Sequence, residues 1–159
     1  MFRDKFSIGD IPHDILKNTY RYWLDIKGQR RMPSRADLKP AEIMPLLPYI
    51  SLVNVEHDSG RYKIRLVGTE TVKAMGVDLT GRYLDELPDI EKFLKDRYDW
   101  MVREKRPYLY EDRLNWAGKN YYNFHSLGLP LSRNDEDVDI LMYATYYDIP
   151  TEEQSKYRL

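Results

Sequence analysis

The side chains able to hold a metal, a proton or a nucleophile's charge are few in this chain of 159 residues. Its three histidines, His13, His57 and His125, fall at a helix start, in a turn and in a strand. No two stand four apart, and no carboxylate pattern beside them signals a metal centre, so each reads as a surface or core residue and no metal is expected. His125 is the best placed for chemistry, at a point where strand parity changes, yet no serine or aspartate partner can be assigned to it. Cysteine is absent, which removes thiolate catalysis, disulfides and cysteine-held zinc or iron-sulfur groups. No phosphate-cradling glycine loop occurs; GVDLTG, residues 76–81, reads as a turn whose glycines supply backbone angles. With no pairable nucleophile, no catalytic residue is expected and the chain reads as non-enzymatic, an acid/base isomerase built on His125 being the enzyme alternative.

A second chemical feature is the segment RRMPSRADLKPAEIMPLLPYI, residues 30–50, with Arg30, Arg31 and Arg35 among Pro33, Pro40, Pro45 and Pro48. Arginine forks match phosphate geometry, so the segment could hold an anion. Prolines, however, fix the backbone path and lower the entropy lost on ordering, which an anchor needs more than a ligand loop does. The segment therefore reads as a strap, with Arg35 and Asp37 as its structural clasp.

Composition bounds the rest. The chain is 42% hydrophobic and 32% charged with a net charge of -1, which fits one folded domain and gives no cationic field for nucleic acid. No apolar run of membrane-spanning length and no secretion signal occurs, so neither membrane insertion nor export is expected and the cytoplasm is the expected compartment. Residues 1–48 read as a helix and the strap, 49–148 as the core, and 149–159 as a short polar tail.

In residues 13–27 the polar positions Asp14, Lys17, Asn18, Arg21 and Asp25 share one helical stripe, and apolar residues fill the remainder. Gly28 ends the helix. An apolar sector this wide suggests contact with both the chain's own sheet and a second subunit, with Ile15, Tyr22, Trp23 and Ile26 as interface candidates. Residues 49–57 and 61–68 read as strands joined by a tight turn at Asp58-Ser59-Gly60; Tyr62, Ile64 and Leu66 alternate with Arg61, Lys63 and Arg65. A short helix capped by Thr69 and closed by Gly76 follows, then a turn at 78–81 and another helical turn.

Residues 89–105 form the longest helix, with Ile90, Phe93, Leu94, Tyr98, Trp100 and Met101 inward and the pairs Glu91/Lys95 and Asp99/Arg103 outside. Strands at 108–116, 121–132 and 138–148 complete the chain, with a turn at 117–120 and a loop at 133–137. In the middle one, apolar parity switches between Tyr122/Phe124 and Leu127/Leu129/Leu131, predicting either a bulge near His125 and Ser126 or a strand whose ends face different cores. The last is apolar on both faces and belongs at the centre of a sheet. The fold class is thus α+β: a five-stranded antiparallel sheet, helices on one face, the first helix on the other, and the first and last strands adjacent.

That is PAS topology, and the motifs agree. Trp23 before a Gly-Arg segment, the strap Pro33 to Pro40, Arg65 to Thr69, Gly76 to Gly81 and Leu129 to Ser132 resemble the bacterial PAS-fold family once classed as a domain of unknown function, in its stand-alone members. The resemblance implies a sensory or regulatory module. It also implies that haem and flavin are disfavoured, because residues 89–105 lack an axial histidine and the chain lacks a reactive cysteine. A cavity between sheet and helices would have Met75, Phe93, Trp100 and Met101 as walls and Arg65, His125 or Tyr146 as anchors, unless the interior is solid and Arg65 lies on the wet face. Two functions follow: a sensor that binds an unknown small molecule and signals to a protein partner, or a ligand-free adaptor that dimerises or docks through its first helix or outer sheet face. In either case a homodimer and an unidentified signalling partner are expected.

Overall fold

A computed structural model describes residues 1–114 and 119–148. Residues 115–118, which include half of the turn expected at 117–120, and residues 149–159, expected as a polar tail, lie outside the described residues. The elements are β1 (Phe2–Arg3), α1 (Asp14–Lys27), β2 (Ile50–Glu56), β3 (Arg61–Leu66), α2 (Thr69–Met75), α3 (Pro88–Glu104), β4 (Tyr108–Leu114), β5 (Lys119–Leu131) and β6 (Ile140–Asp148). The strands make one antiparallel sheet in the order β1-β4-β5-β6-β2-β3. The α+β class and the adjacency of β2 and β6 are as the sequence predicts. The extra strand is β1, where Phe2 and Arg3 pair with Tyr110 and Leu109.

Register divides the sheet into two faces. His125, Leu127, Leu129 and Leu131 of β5 stand opposite Tyr146, Ala144, Met142 and Ile140 of β6, and this face carries α1 and the strap. Ser126 opposite Thr145, and Gly128 opposite Tyr143, belong to the other face, under α2 and α3. The pairing of β5 with β6 runs unbroken from Asn123 to Leu131, so no bulge occurs at His125 and Ser126. The parity switch has the second cause: Tyr122 and Phe124 pack with Ala74 and Leu114, whereas Leu127, Leu129 and Leu131 are fully buried in the main core. Burying each of these leucines is worth about 1.5–3 kcal/mol, which fixes the register. Gly128 is dictated by its neighbours, since a Cβ there would lie 2.8 Å from the Tyr108 ring and 3.1 Å from that of Tyr143.

Three local expectations are corrected. Thr69 is the first residue of α2 rather than its cap; Gly68 takes the cap position and no side chain satisfies it. Lys95 pairs with Asp99 at 2.7 Å, not with Glu91, because Asp99 is fixed from the other side by the Tyr62 hydroxyl, which donates to it at 2.5 Å. Lys119 and Asn120 already belong to β5 rather than to a turn.

The strap is three short 3-10 turns over Arg35–Asp37, Pro40–Glu42 and Met44–Tyr49, as its prolines allow in short pieces but not in a long helix. Its own Met32, Leu38 and Ile43 are buried. Asp37 accepts from the Ser34 amide at 2.8 Å and meets Arg30, not Arg35, at 2.7 Å. Arg35 donates to the Leu38 carbonyl, and its buried Nε has no partner among the described residues. The tie to the sheet is made elsewhere: the Ser132 amide donates to the Pro33 carbonyl, and Asp135 Oδ1 accepts the amides of Arg31 and Met32 at 3.0 and 3.1 Å. Asp135→Ala should therefore cost about 1–3 kcal/mol in urea unfolding, because two strap amides lose their acceptor; a change within error would show that water replaces it.

Candidate functional site

Helices α2 and α3 lie over one face of the sheet and leave a cavity of about 110 Å³ between. On α3 the stripe Ile90, Phe93, Leu94, Arg97, Tyr98 faces the sheet, since these positions recur at three- and four-residue steps. Helix α2 contributes Thr71 and Met75, and the sheet contributes Ser51, Val53, Ile64, Ser126 and Thr145 among others. The walls are mostly apolar. The polar groups are the hydroxyls of Ser126 and Thr145, 3.1 Å apart, several tyrosines and the guanidinium of Arg97.

Arg97 is the one charged side chain lining this cavity among the described residues. Its guanidinium lies 3.7 Å from the centre of the Tyr110 ring and 4.6 Å from that of Phe93, so two aromatic faces stabilise the cation in place of water. Its charge also reaches the Asp112 carboxylate as a through-space pull. Tyr108 and Tyr143 bury a hydroxyl-to-hydroxyl bond of 2.9 Å behind it. Burial pushes Tyr108 and Tyr147 up to about 12 and drives Tyr98 and Tyr143 well above the ordinary phenol value. These phenols are neutral at physiological pH, so an anion entering the cavity meets hydroxyls and one cation. Tyr147 also donates to Thr71 Oγ1 at 3.2 Å, joining α2 to β6.

A second cluster occupies the opposite face. His13 has a positive φ of 65° immediately before α1, an uncommon conformation for a residue other than glycine. Its ring stacks on Tyr146 with centroids 3.9 Å apart and meets the His125 ring edge at 5.0 Å. His13 Nε2 lies 3.6 Å from Asp148 Oδ1, and His125 Nε2 lies 3.1 Å from Asp148 Oδ2. Glu111 Oε2 approaches His125 Nδ1 to 3.2 Å, but off the line of a hydrogen bond, and that buried nitrogen has no hydrogen-bond partner among the described residues. Burial lowers the His13 pKa from its ordinary 6.5, against the pull of Asp148.

The residues singled out from sequence are thus divided. Met75 and Phe93 line the cavity. Arg65 is exposed, because strand alternation that turns Ile64 inward turns its neighbour out. Trp100 and Met101 lie further along α3; Trp100 packs edge-on against Phe2 and Tyr108, and Met101 is fully buried in the core. His125 and Tyr146 point to the α1 face, away from the cavity. Of the interface candidates, Trp23 is 2% exposed and its Nε1 donates to the Pro130 carbonyl at 3.0 Å, so it belongs to the core and not to a subunit contact. Tyr22 holds the strap, accepting from the Lys39 amide and donating to Glu42, while Ile15 and Ile26 pack partly buried against the core.

Sequence reasoning missed Arg97, although an arginine inside the apolar stripe of α3 is a legible signal. It also missed the meeting of His13, His125 and Asp148, for which spacing carries no signal. No helix among the described residues is long and apolar enough to cross a membrane. Compared with known families, residues 11–142 match the sequence profile of the PAS domain. Among curated proteins and among solved structures, none matches the chain.

Proposed function

Because the chain belongs to the PAS domain family, whose members are sensory and regulatory modules that commonly engage other proteins, we propose that it is a non-enzymatic sensor for a small organic acid. The ligand sits between the sheet and α2/α3, and occupancy is passed to a protein partner. The observation that carries this reading is Arg97: the one charged side chain, among the described residues, that lines an apolar cavity whose phenols are neutral. A volume of about 110 Å³ suits a molecule no larger than a small aromatic ring, since a cavity of about 150 Å³ takes benzene. A carboxylate would take a charge-assisted bond from Arg97, and its apolar body would meet Val53, Met75 and Leu94. Moving Arg97 would load α3, and the Thr71 to Tyr147 bond would carry the change from α2 into β6.

A ligand-free adaptor docking through α1 has less support, because Trp23 is inside the core and Tyr22 is engaged with the strap. Native mass spectrometry of the protein from its own host, followed by thermal shift with small carboxylic acids and their matched amides, separates the two readings. An acid should raise the melting midpoint where its amide does not. Arg97→Met should weaken the acid by about tenfold or more, the value of a lost charged hydrogen bond of about 1.5–3 kcal/mol. No bound mass and no response to any acid, or an equal response in Arg97→Met, would sink the acid-sensor reading.

A further inference from the structure

The geometry on the α1 face points to a metal site: we propose that His13, His125 and Asp148 bind one late first-row divalent cation of the Zn²⁺ class, with Glu111 supporting His125 from behind. The site lies on the sheet face away from the cavity and stands independently of the ligand reading above.

The donor atoms of the three residues lie within 4.8 Å of one another, and the two imidazole-to-carboxylate distances are 3.6 and 3.1 Å. Bonds of about 2.0–2.1 Å in a tetrahedral zinc centre place neighbouring ligand atoms roughly 3.3 Å apart. The two imidazole-to-carboxylate contacts are near that length but are made to different oxygens of Asp148, so the imidazoles must close and the carboxylate must turn one oxygen to both or bind through both. Two nitrogens and one carboxylate with no thiolate suit zinc, iron(II), nickel or copper rather than magnesium or calcium.

The two carboxylates on His125 suit either an imidazolium that donates to both or a neutral ring that holds a metal, and the neutral ring is the case that favours the metal. A neutral imidazole has one N–H. If Nε2 donates it to Asp148, the lone pair of Nδ1 faces the Glu111 carboxylate at 3.2 Å, an acceptor against an acceptor. With a metal on Nε2, the proton moves to Nδ1 and points at Glu111, the carboxylate–histidine–metal arrangement that orients ligands in many metal sites. Glu111 is half exposed and free to turn into line. His13 is also held in place for ligation, with its backbone at positive φ and its ring clamped on Tyr146. Strain of this kind persists where surrounding structure imposes it, often at functional sites.

The three ligands come from the residue preceding α1, from β5 and from the end of β6. A bound ion would clamp the start of α1 to the sheet. Beside it is a surface depression of about 360 Å³ bordered by Met1, Glu111, Asn123, His125 and Asp148, which leaves room for a fourth ligand from solvent and for exchange of the ion. Function as a regulatory clamp follows from that placement, since occupancy would stiffen the junction between helix and sheet.

The test is equilibrium dialysis and thermal melting of the untagged, chelator-treated protein with Zn²⁺ alone. One equivalent should bind, and the melting midpoint should rise over that in chelator. His13→Asn, which tolerates positive φ, and Asp148→Asn should each weaken binding more than about tenfold, and Glu111→Gln by about 10–100-fold, the usual effect of losing a supporting carboxylate. His57→Asn is the control, because His57 lies elsewhere with Nε2 at 2.8 Å from the Val138 carbonyl; it should bind as the parent does. Circular dichroism of the His13→Asn protein matching the parent keeps a loss of binding from being a loss of fold. Absence of a stoichiometric site, equal binding in His13→Asn, or an equal loss in His57→Asn would overturn the proposal, the last two being the signature of scattered surface histidines.

Discussion

Trp23→Ala should lower stability by about 3–5 kcal/mol and leave the association of the remaining folded protein unchanged. The indole is 2% exposed, lies parallel to Tyr20 at 6.2 Å and donates to the Pro130 carbonyl of β5. Removing it opens a large cavity and strands a carbonyl acceptor in the core, two costs that add. Trp23→Phe keeps most of the bulk and loses the bond, so it should cost about 1 kcal/mol plus a packing remainder. Urea unfolding measures stability and sedimentation velocity the subunit state. A Trp23→Ala protein of parental stability but altered subunit state would return the indole to an interface and overturn its assignment as the pin between α1 and β5.

The contrast shows which parts of this molecule are legible in its residues. Elements with a sustained period are: α1 and α3 carry apolar stripes, and β6, apolar on both faces, sits between β5 and β2 as such a strand must. Trp23 was misplaced as a contact because a wide apolar sector does not say which part of it the chain's own sheet and strap will cover. β1 was missed because two residues hold no alternation, and its pairing with Tyr110 and Leu109 is set across more than a hundred residues. The cavity shows a related difference. Arg65 and Arg97 are equal in charge, yet one alternates outward beside Ile64 and the other falls into the stripe of α3. Their roles follow from parity and period, not from residue type. The histidine cluster had no such handle, since positions 13, 125 and 148 meet only through β5–β6 register and the docking of α1. Asp135 was equally hidden: it acts through one oxygen on two strap amides about a hundred residues away.

Gly68→Ala should be nearly as damaging as the loss of Trp23, by about 3 kcal/mol or more, although it adds a single methyl group. A Cβ on this residue would lie 2.6 Å from the Pro48 carbonyl oxygen, 2.8 Å from that of Ile50 and 3.0 Å from the Ile50 amide nitrogen. All three are backbone atoms where the strap enters β2, so no rotamer change relieves them. The φ of Gly68 is an ordinary -62°, which means the requirement is space and not backbone angle. The Gly68 amide donates to Ser51 Oγ at 3.1 Å, and Ser51 lines the cavity. Relief must therefore move α2 away from the sheet, together with Thr71 and Met75. The expected result is a large fall in the urea midpoint and, in whatever protein remains folded, loss of any small-molecule response. Stability within 1 kcal/mol of the parent would show that α2 yields easily. The cavity would then be a pliable one whose volume a ligand could enlarge, and the size limit placed on the ligand would no longer hold.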